Sequence, residues 1–98
     1  MSKKSKQKSS LMMRLAKRYG LNYVTQKLPD LMYKKISPLV GSKVSEEKFK
    51  KIFDSVLNVT SGAALERGIS KGLQALGVKK TIAEKAGVLV RIGVFLVI

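Results

Sequence analysis

The side chains able to do chemistry in this chain are nearly all cations. Twenty Lys and Arg stand against six Asp and Glu across 98 residues, giving a net charge of +14. Histidine, cysteine and tryptophan are absent. Without them there is no imidazole base, no thiolate nucleophile and no thiolate or imidazole ligand for zinc. The six carboxylates, Asp30, Glu46, Glu47, Asp54, Glu66 and Glu84, are scattered along the chain. Three of them, Glu46, Glu47 and Glu84, fall where helices should begin. The glycines at 62, 68, 72, 77, 87 and 93 are spaced for helix packing and helix ends, and no strand precedes them to make a phosphate loop. The expectation is a protein that is not an enzyme and takes no metal or cofactor. The chemistry left is contact with an anion, either nucleic-acid phosphate or an acidic lipid surface.

The charge is unevenly placed. Residues 1–43 carry +10, residues 44–60 carry zero and residues 61–98 carry +4. Residues 1–10 hold four lysines and no large apolar group beyond Met1, so they read as a flexible basic arm unable to bury enough surface to order itself. The start is too short in apolar residues, and too soon broken by Arg14, to read as a signal peptide. Lys3, Lys4, Lys6, Lys8, Arg14, Lys17, Arg18, Lys34 and Lys35 are the candidate contacts to an anionic surface.

Helical spacing organises most of the remainder, and the expected fold is a single all-α domain. Residues 11–60 form an amphipathic helical region and residues 61–98 a glycine-rich helical hairpin. Ser9 or Ser10 can cap a helix running to about Lys27, with Leu11, Met12, Leu15, Tyr19, Tyr23 and Val24 on its apolar side. Such a helix suits either a membrane interface or a small bundle. Pro29 should end it, and Ser37-Pro38 with Gly41-Ser42 should form a connector. The clearest helix runs from Ser45 to about Asn58. Ser45 caps it, Val44 and Phe49 staple it, and Phe49, Ile52, Phe53, Val56 and Leu57 form one stripe.

The next helix, about Gly62 to Leu76, repeats small residues at Ala64, Gly68 and Gly72. These are the candidate helix-packing residues, set for close backbone approach either to the last helix near Gly87 or Gly93, as in membrane helix pairs, or within a tightly packed soluble bundle. Gly77 stops the helix, and the capping box from Thr81 to Glu84 opens the last one.

That last stretch is apolar from Ala86 to Ile98 apart from Arg91. The seventeen residues from Ile82 would span roughly 26 Å as a helix, a little under a ~30 Å hydrocarbon core. Val88, Leu89, Val90, Ile92, Val94, Phe95, Leu96, Val97 and Ile98 are the candidate membrane-anchoring residues. Together they favour insertion by roughly 3 to 5 kcal/mol, against about 2.5 to 3.5 kcal/mol for Arg91. The expectation is a transmembrane anchor, provided Arg91 snorkels or finds a partner. The competing reading of 87–98 is a Val- and Ile-rich strand paired with another chain.

The layout, with K-K-S-K-Q-K at 3–8 and V-L-V-R-I-G-V-F-L-V-I at 88–98, resembles the small lattice-organising membrane proteins of tailless icosahedral phages with an internal membrane, the corticovirus type. That resemblance implies a structural protein of the virion, present in many copies, that joins the bilayer to the capsid shell. The expected partners are a bilayer with anionic headgroups and other coat or membrane subunits, with self-association as a further form of assembly. The expected location is a membrane, in the resemblance the internal membrane of a virion. Two alternatives remain open. One is nonspecific nucleic-acid binding, with Tyr19, Tyr23 and Tyr33 stacking among lysines. The other is a cationic membrane-active protein of the bacteriocin kind.

Overall fold

The computed structural model describes residues 10–97, and these are all-helical with no strand among them. The elements are α1 (Leu11–Tyr19), a π-helical turn (Tyr23–Lys27) leading directly into α2 (Leu28–Val40), a 3-10 turn (Gly41–Lys43), α3 (Glu46–Val56), α4 (Gly62–Ala75) and α5 (Lys80–Val97). The strand reading of 87–98 therefore falls. Four helices close a ring, α2 packing on α3 and α5, and α4 likewise on α3 and α5. The molecule measures 47 × 24 × 20 Å. One continuous core runs from Leu11 through Phe49 and Phe53 to Val94.

α1 is held by its start. Ser10 Oγ accepts from the Met13 N–H, as a capping serine should. The N–H groups of Leu11 and Met12, which have no partner inside the helix, donate to the Val59 and Leu57 carbonyls at 2.9 Å each. Residues 1–9, and with them nearly all of the expected basic arm, lie outside the described residues.

The first helix does not reach Lys27. It stops at Gly20, whose φ of +93 is a conformation L side chains rarely adopt. Helix resumes at Leu21 and passes through Pro29, which the sequence suggests as a terminator. Proline lacks the N–H that would bond back to residue 25, and its ring crowds that carbonyl. The preceding turn widens to accommodate it, with the Leu28 N–H reaching back five residues to the Tyr23 carbonyl. Pro38 also lies inside α2, so the connector shrinks to the three-residue turn at Gly41–Lys43.

α3 forms as its sequence indicates. Ser45 Oγ accepts from the Lys48 N–H, Glu46 and Glu47 occupy the first turn, and Val44 and Phe49 are both fully buried. The ring of Phe49 lies 5.8 Å from Phe53 and 6.0 Å from Tyr33, within the range for favourable aromatic pairs. The α4 end is a Schellman motif: the Val78 N–H donates to the Leu73 carbonyl and the Gly77 N–H to Gln74, with Gly77 at φ +97. α5 begins at Lys80, one residue before the expected cap, so Thr81 sits inside the first turn rather than capping it.

Asp54 is the strained carboxylate of α3. Its Oδ1 is buried without a hydrogen-bond partner among the described residues. Burial pushes its carboxyl above the ordinary value, with Lys50 pulling weakly the other way. A raised folded-state value means the group favours the fold below its unfolded-state value and loses that contribution as pH rises through the folded-state value. Asp54→Asn is therefore expected to raise the melting temperature at neutral pH and to match wild type in acid. A variant equal to wild type at both pH values would show that the site is solvated in solution.

Candidate functional site

α5 is amphipathic in an unusual sense. Its buried positions are small: Ala83, Ala86, Gly87, Val90, Gly93 and Val94. Ile82 and Leu89 are half-buried against the core, but its other large apolar side chains point outward, with Ile92 50%, Phe95 41% and Leu96 77% exposed, and Val88 exposed one turn earlier. The small inner face follows from how close the neighbours come. A Cβ on Gly87 would lie 2.6 Å from the Glu66 carbonyl oxygen of α4. One on Gly93 would lie 2.6 Å from Met32 Sδ of α2.

The expected membrane-anchoring set thus divides between two faces. Val90 and Val94 are buried in the bundle, Leu89 and Val97 are half-buried, and Val88, Ile92, Phe95 and Leu96 face out. Ile98 lies outside the described residues. No helix among the described residues is long and apolar enough to cross a membrane. The physical reason is that α5 begins with Lys80, Glu84 and Lys85, carries Arg91, and commits one side to protein contacts.

The small face of α4 meets a different partner from the one its spacing suggests. A Cβ on Gly68 would meet Val56 Cγ1 at 2.5 Å, and one on Gly72 would meet Ile52 Cγ2 at 2.8 Å. Gly68 and Gly72 therefore receive the β-branched side chains of α3, and Ala64, on the same face, is half-buried. α4 and α5 approach instead at Gly87.

On the outer side of the α4–α5 pair lies a groove of about 780 Å³. Arg67 and Lys71 of α4 and Lys80, Lys85 and Arg91 of α5 line it, against Glu66 and Glu84. Glu66 accepts from Arg91 Nη1 at 2.9 Å, a pair bridging the two helices. Ser70 and Gln74 hydrogen-bond to each other along the same wall at 3.1 Å. Arg91 also borders a smaller apolar hollow with Gly62, Ile92, Phe95 and Leu96. Through that one guanidinium the cationic groove and the outward apolar stripe are continuous.

Of the anionic-surface candidates, Lys3, Lys4, Lys6 and Lys8 lie outside the described residues. Arg14 donates to the Thr60 carbonyl at 3.2 Å, Lys17 is exposed, and the Arg18 guanidinium lies 5.7 Å from the Tyr19 ring centroid. Lys34 pairs with Asp30 at 3.4 Å and Lys35 is exposed. These belong to α1 and α2, and none of them lines the groove. The sequence reading missed the groove cations: Arg67 and Lys71 stand one turn apart on α4, but Lys80, Lys85 and Arg91 follow no i, i+3 or i, i+4 repeat on α5. Their convergence depends on which faces the two helices turn toward each other.

Elsewhere the neighbouring carboxyls of Asp30 and Glu46 act on each other, holding Glu46 above and Asp30 below its ordinary value, with Lys34 lowering Asp30 further. Among the described residues no acidic group is arranged to hold a metal ion. Fold and site together define an all-helical, strongly basic protein with a cationic groove opening onto an exposed apolar stripe. No family model matches the chain, and neither a curated protein nor a solved structure matches it.

Proposed function

We propose that this is a structural protein that docks on the surface of an anionic bilayer through the outer face of α5. The observation that carries the reading is the inverted size pattern of α5, with Gly, Ala and Val inside and Ile92, Phe95 and Leu96 outside. A helix serving the core alone gains most by burying its largest side chains. Large apolar groups beside Arg91 and a cationic groove suit the headgroup boundary, where apolar contact and attraction to acidic lipids act together. The membrane contact is lateral: α5 keeps its inner face on α2 and α4 and lays its outer face in the interface. In the setting the layout resembles, a virion, the remaining basic surface of α1 and α2 would face coat subunits or the genome.

Two observations weigh against stacking on nucleic-acid bases. Tyr33 is half-buried with its hydroxyl donating to the Val44 carbonyl at 2.7 Å. Tyr19 and Tyr23 stack on each other with centroids 4.9 Å apart.

The test is flotation of the full chain with vesicles of phosphatidylcholine and phosphatidylglycerol, washed in high salt. Retention through the wash is expected, because apolar contact does not screen. Complete release by salt would reduce the interaction to charge and move the reading to nonspecific nucleic-acid binding. Binding equally to uncharged phosphatidylcholine vesicles would remove the role of the cations.

A further inference from the structure

We infer that the α4–α5 groove is a binding site for the phosphate headgroup of a single phospholipid whose acyl chains lie along the α5 stripe. The inference rests on the bilayer reading above and names the group that the site would recognise. Its basis is the junction at Arg91, which borders both the groove and the apolar hollow beside Ile92, Phe95 and Leu96. A surface adapted to membranes by charge alone needs only scattered lysines. Here the cations converge on a concave site from two helices whose approach is fixed by Gly87, and the apolar stripe begins where the groove ends.

The charge arrangement fits a phosphate. Glu66 takes Arg91 Nη1, and among the described residues no other hydrogen bond is made by that guanidinium, which has five N–H donors. Arg67, Lys71, Lys80 and Lys85 make no ion pair among the described residues. Glu84 alone opposes them, so the groove keeps a positive excess after the Glu66–Arg91 pair is discounted. An arginine fork recognises phosphate oxygens bidentately, and lysines add point charge. The ligand must carry both parts. A free phosphate would leave the stripe bare, and a fatty acid would leave most of the groove's charge unmatched.

The probe is dihexanoyl phosphatidic acid below its micelle concentration, followed by NMR, with glycerol phosphate and inorganic phosphate beside it. The lipid is expected to shift Arg67, Lys85 and Arg91 together with the Ile92 and Leu96 methyls, and to bind at least tenfold more tightly than either phosphate. Arg67→Gln/Lys85→Gln should weaken it about thirtyfold, at about 1 kcal/mol for each cation. Lys48→Gln/Lys51→Gln, the same loss of charge on exposed α3 positions, should leave it unchanged.

Equal weakening by both pairs would overturn the site in favour of net charge. Equal affinity for lipid and inorganic phosphate would overturn the headgroup-and-chain assignment. The outcomes separate cleanly from the bilayer reading. Wild-type flotation with failure of the groove variants to matter sinks the headgroup site alone, and loss of wild-type flotation sinks the reading beneath it.

Discussion

Gly87→Val is expected to destabilise the protein by about 3 kcal/mol or more, and Gly87→Ala by about 1 to 2 kcal/mol. The new Cβ would sit 2.6 Å from the Glu66 carbonyl oxygen and 3.4 Å from its carbon. Both are backbone atoms, so no rotamer change relieves the contact and α4 and α5 must separate. Helix propensity works the other way, since alanine is favoured over glycine by about 1 kcal/mol, which is why the alanine variant costs less. For a domain of this size each kcal/mol lowers the melting temperature by roughly 4 to 8 °C. Thermal unfolding followed by circular dichroism reads it directly. Gly68→Ala offers the contrast, because its obstruction is the Val56 side chain at 2.5 Å. Adding Val56→Ala should restore part of what Gly68→Ala loses, whereas no single side-chain truncation should rescue Gly87→Ala. A Gly87→Ala protein as stable as wild type would mean that α4 and α5 do not pack this closely in solution.

The difference between these glycines marks where the sequence stops being legible. Ser45, Val44 and Phe49 specify α3 by local rules, because a cap and a staple involve residues a few positions apart. Gly68 and Gly72 announce a close approach, but nothing local says that Val56 and Ile52 of α3 fill it rather than α5. Pro29 misleads for a related reason. Its effect on the backbone is local, yet whether the chain breaks or widens into a π turn depends on burial of Pro29 itself and of Leu28 and Met32 on either side of it. The run from Val88 to Ile98 conceals its own period, because apart from Arg91 it is apolar throughout and its residues differ chiefly in size. Hydropathy alone makes it resemble a membrane span. Packing shows that the small residues face protein, while Ile92, Phe95 and Leu96 do not. The groove was least visible of all, since Arg67 and Lys85 meet only once the hairpin turns at Gly77.

Ile92→Ser/Leu96→Ser is expected to weaken partition onto anionic vesicles roughly 30- to 150-fold while leaving the fold intact. Each residue is at least half exposed, so neither contributes much to the core, and surface substitutions of this kind usually change stability by less than about 0.5 kcal/mol. At a membrane interface the same side chains would bury much of their apolar area, worth about 1 to 1.5 kcal/mol each. Two such losses give about 2 to 3 kcal/mol, which is the stated fold-change. Val90→Ser is the necessary opposite. Val90 is fully buried, so its loss should lower the melting temperature and leave the vesicle affinity of the folded fraction near wild type. Two measurements then separate lipid from a second copy of the chain as the occupant of the stripe. Wild-type protein without lipid should sediment as a monomer, and the double variant should fail on vesicles. A wild-type dimer that the double variant dissolves, with vesicle binding unchanged, would assign the stripe to self-association. The membrane contact would then have to come from the cations alone.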